Sequence, residues 1–498
     1  MKKTLVITTI IIDIFLCTLI PLNTRILTTN IPEYISIILG TIILLLNILI
    51  WIKLKKVKNK IIISIISLIT VLIGLCGTYC NPYWNSIVKN KNISIYSKEY
   101  DYVLTKEKAQ EDLEYAMKYL KKIHPKLLKN IPEEIQEQYN IVKNNIENQE
   151  IITVNYLAKE IETIFSKLND AHTMIAGYYN DYHILKEIYT HNKNKETLTK
   201  INNIEIKELF EQNKMYYSYE MEEEALNQFK NDIITLEGLT KLGINTEEIT
   251  YTFESNKKEK EYKYTQEDFI TQEEYNEYNN ITPKPKTSFV RYEIAEEDNL
   301  AILYLDECNN NDEYKRVLNE LFNKIKEKNI DNIAVDLRNN GGGDSSVATE
   351  FLKYIDVDKY DEWAEEWRLG PFNIKTKKHT IKNKKKNNTF NGNIYVLTSI
   401  NTFSSAMDFA MYIKDNNLGT IIGEASSNDP NSYGMITKFK LPNSGIYMQI
   451  STKKWYRINE TTEEQFIEPD IYCNSKDAIF KLYEIIKNTN ENSFLENF

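Results

Sequence analysis

The run Ala334-Val335-Asp336-Leu337-Arg338-Asn339-Asn340-Gly341-Gly342-Gly343 constrains the fold more than any other part of the chain. An apolar stretch that ends in a charged pair and opens into three glycines reads as a buried strand feeding a loop of bare backbone. The flanking text sets the architecture. Leu300 to Leu305 reads as a strand, and Asp312 to Lys328 as a helix with Leu318, Leu321, Phe322 and Ile325 on one face. Ile333 to Asp336 is the strand feeding the glycines, Ser346 to Tyr354 is helical, and Ile394 to Leu397 is a strand. Ala406, Phe409, Ala410 and Ile413 then recur at helical spacing, and Gly419 to Gly423 is a further strand. Strands alternating with helices imply an α/β core.

A chain of 498 residues is long enough for several domains. Leu113, Ala116, Met117 and Leu120, then Leu157, Ile161, Ile164, Phe165 and Leu168, give helical periodicity, so residues 105–175 read as a helical domain. Residues 176–290 read as a mixed α/β insert. Within it Thr199 to Leu209 suggests a strand, a turn and a helix start, Glu248 to Phe253 alternates like a strand, and Lys257 to Lys263 reads as a charged turn. Pro283 and Pro285 mark its end. The α/β core then occupies 291–490, and residues 81–104 read as a polar linker.

The first eighty residues differ in kind. Thr4 to Leu22 is apolar apart from Asp13, and Tyr34 to Ile52 and Ile61 to Tyr79 are apolar runs as well. Each is long enough to cross a hydrocarbon core as a helix. Lys2 and Lys3 precede the first run; Lys53, Lys55, Lys56, Lys58 and Lys60 lie between the second and third. The positive-inside rule then places the N-terminus and the lysine loop in the cytoplasm and everything after Tyr79 outside. Tyr79, Tyr83 and Trp84 fit an aromatic belt at the outer interface. The expectation is a multi-pass protein of the cell membrane, residues 1–80 forming three transmembrane helices. Asp13 is expected to pair with a polar group of a neighbouring helix, such as Asn47.

Composition excludes some functions. With 61 Lys+Arg against 71 Asp+Glu the net charge is −10, which argues against a nucleic-acid partner. No CxxC or HExxH spacing occurs, so no metal and no cofactor is expected. Cys308 and Cys473 are the two soluble-part cysteines, and an oxidising exterior would let them pair.

The chemistry lies in two segments. Thr402-Phe403-Ser404-Ser405-Ala406-Met407-Asp408 brings a serine pair to a strand-to-helix junction, where unpaired amides and the positive helix end suit a developing oxyanion. The glycines offer a second source of amides. A nucleophilic serine facing an oxyanion hole suggests acyl transfer. The plainer alternatives are that Ser404 or Thr402 caps the helix, and that Asp336 and Arg338 pair to orient the glycine turn. A serine also needs a base. His124, His172, His183, His191 and His379 are the candidates, and single-sequence logic does not choose between them.

The ordered set of motifs resembles the tail-specific, or C-terminal processing, serine peptidase family. The matching text is His124-Pro125, Leu168-Asn169-Asp170-Ala171-His172-Thr173, the Asp336 to Gly343 run, Thr402 to Ala406, Ile422-Gly423-Glu424, Tyr433-Gly434, Leu441 to Gly445, and Glu468-Pro469-Asp470-Ile471. It covers roughly residues 105–475 and is weak between 176 and 290. The resemblance implies a crotonase-like (ClpP/crotonase) α/β core and a divergent PDZ-like insert. It implies Ser405 as nucleophile, selected over Ser404 by Asp408 three residues on, with an oxyanion hole from Ala406 and Gly342 or Gly343. Met435 stands where one branch of the family carries a lysine base, and a thioether accepts no proton. A Ser-His-Glu branch, whose members include the tricorn core and interphotoreceptor retinoid-binding protein-like proteins, implies His172 as base and Glu463 as its orienting carboxylate, with Glu464 and Glu468 as competitors. The expected activity is hydrolysis of a peptide or protein substrate outside the membrane. The alternative is a catalytically inactive peptide- or lipid-binding module on the same fold.

Overall fold

The computed structural model describes residues 2–25, 34–79, 86, 98–176, 182–282, 287–369 and 372–496. Tyr83, Trp84, Pro283, Pro285 and most of the linker lie outside the described residues.

The core is a six-stranded sheet. Val290–Ala295 pairs antiparallel with Leu300–Leu305, and Asn332–Asp336, Asn393–Thr398, Thr420–Gly423 and Ile471–Tyr472 follow in parallel. Asn332–Asp336 is buried along its whole length, as a central parallel strand covered on both faces must be. One face packs on the helices Asp312–Lys328, Ser346–Leu352 and Ser405–Asp415, through residues such as Leu318, Phe351, Phe409 and Val335. The other face packs on Ala478–Glu496 through Ala478, Leu482 and Ile486. The alternation read between 300 and 423 is thus present, with helix ends within a residue or two. Cys308 packs into the first core and Cys473 against the second, so the sheet separates them and both are free thiols. The pairing considered for them does not form.

A hairpin-rich excursion between 359 and 382, not foreseen from its lysine-rich text, builds a second sheet. Ala364–Leu369 and Phe372–Lys375 join Tyr447–Tyr456 and Tyr433–Lys440. Met174–Ala176 adds a fifth strand by pairing antiparallel with Tyr447–Tyr456, Gln449 facing Met174. That pairing anchors the helices Lys106–Ile123, Glu133–Asn148 and Val154–Phe165 to the core. Their apolar faces share one cluster with Phe439, Leu441, Ile446, Met448 and Ile450 of the sheet. Buried Asp112 adds a polar clamp, accepting the amides of Asn443 and Ser444 at 2.9 and 2.8 Å.

The insert has its own core around Phe210, Phe229, Tyr251 and Phe253. Its antiparallel sheet runs Ile204–Glu205, Thr197–Ile201, Ile249–Ser255, Lys258–Tyr264. The charged stretch 257–263, read as a turn, is mostly an exposed edge strand. Asn256 and Lys257, at φ 52° and 62°, make the two-residue turn that leads into it. Its lysines and glutamates suit an unpaired sheet edge.

The N-terminal runs are the helices Lys2–Arg25, Tyr34–Lys53 and Val57–Tyr79. Among the described residues, no helix is long and apolar enough to cross a membrane. Ile7, Ile11, Ile14, Leu45, Ile48, Ile62 and Leu68 are exposed, while Leu16, Ile43 and Val71 pack inward. Buried Asp13 accepts a hydrogen bond from Ser67 at 3.0 Å, so its partner is on the third helix; Asn47 instead accepts from Ser64 at 3.1 Å.

Candidate active site

Ser405 opens the helix Ser405–Asp415, and the residue before it, Ser404, sits at φ 53°, ψ −125°. A serine held in that region is strained, and the surroundings must hold it. Three bonds do. The Ser404 amide donates to Asn428 Oδ1 at 3.0 Å, Thr402 Oγ1 donates to the Leu337 carbonyl at 2.9 Å, and the Phe403 amide donates to the Asn340 carbonyl at 3.0 Å. The last two tie the serine loop to the strand end that carries the glycines. Asp336 and Arg338 pair at 2.7 Å, and Arg338 also donates to the Ser475 carbonyl at 2.7 Å. Their work is to hold that strand end, the plainer of the readings considered.

Gly342 at φ 102° presses against the serine loop. A methyl group there would lie 2.7 Å from Ser404 Cβ and 3.0 Å from the Ser405 nitrogen. The glycines therefore lie against the Ser405 loop. Their donors are committed, however: the Gly342 amide donates to Asn340 Oδ1 at 2.8 Å, and the Ala406 amide to the Phe403 carbonyl at 3.1 Å. The carbonyl of Gly343, rather than its amide, faces the serine and lies 2.9 Å from Ser405 Oγ.

Ser405 Oγ also lies 2.8 Å from Ser345 Oγ, which donates to Asp408 Oδ2 at 2.7 Å. Burial raises the Asp408 carboxyl to about 7, opposed by the Ser345 hydrogen bond. Asp408 is therefore wired to Ser405 through Ser345, a serine that sequence reasoning passed over. Met435 projects outward from its strand, and Lys438 is exposed.

His172 is the histidine in the site. Its ring packs on Phe403, with centroids 4.6 Å apart, two residues before Ser405. Both ring nitrogens are buried without a hydrogen-bond partner, so no bond joins His172 to Ser405 in this arrangement. Its Nδ1 lies 3.8 Å from Asp170 Oδ1, and a methyl group on Gly434 would lie 3.9 Å from its Nε2. Burial lowers the imidazole below its ordinary 6.5, opposed by the charge of Asp170. The backbone around it is fixed: the His172 carbonyl accepts from Gln449 at 2.8 Å, and Thr173 Oγ1 accepts the Ser451 amide at 2.9 Å.

Asp170 is fully buried, yet its carboxyl falls to about 2. Burial opposes this, but hydrogen bonds from His124 and Thr173 and the nearby imidazoles prevail. His124 Nδ1 accepts the Lys126 amide at 3.1 Å, so its Nε2 carries the hydrogen donated to Asp170. His183 and His191 pair with Glu237 and Glu196 inside the insert, and His379 lies 3.0 Å from Glu362.

Glu463 is exposed and makes no hydrogen bond or ion pair with His172. Glu464 is held by Arg457 at 2.9 Å and Lys414 at 3.0 Å, and Glu468 is exposed. The carboxylates beside His172 are Asp170 and Glu220, whose nearest ligand-type atoms and those of His172 lie within 4.8 Å of one another. Both carboxylates already accept donors: Asp170 those named above, and Glu220 those of Ala171, Asn428 and Asp429. Hydrogen bonding accounts for this group. Glu220 belongs to the insert, and no local pattern in the sequence pointed to it.

Comparison with known proteins bears on the fold. Residues 299–473 match the profile of peptidase family S41. Mature CPAF superposes with a TM-score of 0.52 at 11% identity, covering 77% of this chain and 96% of that one; its complex with lactacystin gives 0.51 at 12% identity, covering 77% and 98%. The photosystem II D1 C-terminal processing protease aligns over 74% of this chain and 94% of its own, with a TM-score of 0.42 at 11% identity. None of the curated protein sequences matches the chain. Residues 299–473 thus form a peptidase family S41 domain, of the serine-type peptidase class.

Proposed function

We propose that the chain is a membrane-anchored serine endopeptidase acting outside the cytoplasm, with Ser405 as nucleophile and His172 as base. The observation that carries this reading is the meeting of a strained serine, a glycine loop and a buried histidine with two unpartnered nitrogens at one place. For attack, the Ser405 hydroxyl leaves Gly343 and Ser345 and turns to His172 Nε2. His172 takes the proton as Ser405 Oγ bonds to the peptide carbonyl carbon, and returns it to the leaving amine. Asp170, facing Nδ1, supplies the charge that stabilises the imidazolium, the part first assigned to Glu463. A turn of the glycine loop releases the Gly342 amide toward the oxyanion.

Hydrolysis of an unstructured peptide by the detergent-solubilised chain tests this. Equal cleavage by wild type and Ser405→Ala removes Ser405 as nucleophile. The engaged Gly342 and Ala406 amides favour a second reading, a non-catalytic peptide- or lipid-binding module. Labelling of Ser405 by a fluorophosphonate that requires His172 excludes it.

Membrane anchoring rests on the three apolar runs, the outward-facing isoleucines and leucines of their helices, and the lysines that cluster on one side. Extraction by detergent but not by alkaline carbonate is the expected behaviour. We read the insert as a divergent PDZ-like module for the substrate chain. A groove of about 400 Å³ lined by Thr199, Ile206, Phe210, Leu226 and Lys230 supports that reading.

A further inference from the structure

We propose that Glu220, contributed by the insert, is a positioning residue that sets His172 and Ser405 at working distance. The inference rests on the proposed roles of those two residues. Glu220 Oε1 accepts the amide of Ala171, the residue before His172, at 3.4 Å. Glu220 Oε2 accepts Asn428 Nδ2 at 2.7 Å and the Asp429 amide. Asn428 Oδ1 in turn accepts the amide of Ser404, the residue before Ser405, at 3.0 Å. One carboxyl therefore reaches the loop of the base directly and the loop of the nucleophile through a single amide side chain. The three pieces come from the insert, the helical domain and the core.

The arrangement has no slack. Asn428 is 1% exposed and is also bonded to Ser432 Oγ at 3.0 Å, so it does not swing out to find water. Ser404 holds a strained backbone conformation, and its amide bond to Asn428 is one of the restraints that keep it there. The groups facing Glu220 are Asp170, Asp429 and His172. Burial first, and then the charge of Asp170, pushes the Glu220 carboxyl well above its ordinary value. The residue is thus costly to place there for stability alone, whereas it fits a role in which position matters. Misplacement of reacting groups by about 1 Å costs ~100-fold in rate, so a residue that never touches substrate still governs turnover.

The test compares Glu220→Ala, Glu220→Gln, Asn428→Ala and the Glu220→Ala/Asn428→Ala pair in the full chain. Glu220→Ala is expected to lower kcat ~10- to 100-fold with KM nearly unchanged. Glu220→Gln keeps an acceptor for Asn428 and Asp429 but sets an NH2 group against the Ala171 amide, so it is expected to keep more activity than Glu220→Ala and less than wild type. The double variant is expected to be no worse than the poorer single, because both act through one path. An unchanged kcat in Glu220→Ala, or additive losses in the double variant, overturns the proposal. So does failure of Glu220→Gln to rescue a folded chain. Amide hydrogen exchange in a Ser405→Ala background reads the same link without chemistry. Faster exchange at Ala171 and Ser404 on adding Glu220→Ala supports it, and unchanged protection overturns it. That measurement stands even where wild type and Ser405→Ala cleave alike and the peptidase reading itself has failed.

Discussion

Ser405, Ser345 and Asp408 form a hydrogen-bonded line in which the last group titrates near neutrality. The folded Asp408 carboxyl holds its proton to about 7, while the unfolded one releases it near 3.8. Between those values the folded chain binds more protons, so this group makes stability fall as pH rises across that window. Asp408→Asn keeps a partner for Ser345 and is expected to remove that slope; urea unfolding at a series of pH values shows whether it does. Asp170 has the opposite sign. Its stabilisation is whole above 3.8 and is lost as pH falls toward about 2. His172 stays neutral to below 6.5, so the acid limb of kcat/KM is expected below that value, and a limb above it assigns the base elsewhere. His172→Ala and Ser405→Ala are each expected to lower kcat by on the order of 10⁴-fold or more, measured by peptide hydrolysis. Ser405 was legible because a strand-to-helix junction and a motif mark it locally. Glu220 was not, since its partners Asn428 and Asp429 lie some two hundred residues on. Glu463 was singled out by a family position, but Arg457 and Lys414 draw the neighbouring Glu464 toward the far end of the nucleophile helix.

The helix Ser405–Asp415 is fixed at both ends. At its start Asn428 holds Ser404. At its end Asp415, 1% exposed by side chain, pairs with Arg457, 2% exposed, at 3.0 Å. Asp415→Ala leaves the guanidinium buried with only Glu464 as a charged partner, and is expected to cost ~3–5 kcal/mol by denaturant unfolding. The glycine segment is equally intolerant. A methyl group on Gly343 would meet the Cys308 carbonyl at 2.2 Å, at φ 139°. Gly343→Ala is expected to lower the melting temperature, with at least ~1–3 kcal/mol from the backbone conformation alone. The core elements were readable because hydrophobic period and turn chemistry agree there. The strand Lys258–Tyr264 was not, because an exposed edge carries charge where a buried strand carries apolar residues. The hairpins between 359 and 382 escaped because charged residues interrupt the apolar ones even in the interior strand Ala364–Leu369, where Ala364 and Trp367 are buried.

At the scale of the whole molecule, the site is shared among three units. The S41 domain supplies Ser405 and the glycine loop, the helical domain supplies His172 and Asp170, and the insert supplies Glu220. A chain cut to residues 299–473 is expected to be inactive and poorly soluble, since it lacks His172, the proposed base, and exposes Phe439, Leu441, Ile446, Met448 and Ile450; expression of that fragment beside the full chain checks this. The order of the motifs was visible in the sequence, but which carboxylate would face His172 was not, because that depends on how separate units dock. The pairing of Met174–Ala176 with Tyr447–Gln449 carries a consequence for synthesis. The ribosome delivers His172 about 270 residues before the strand that seats it, and Ser405 arrives between the two. Long-range pairing of this kind forms late. While the chain is still emerging, Ser405 and His172 have no common frame, so under the proposed roles a nascent molecule is expected to be unable to cut its neighbours or itself. Under that proposal, activity is expected only when nearly the whole polypeptide has been released.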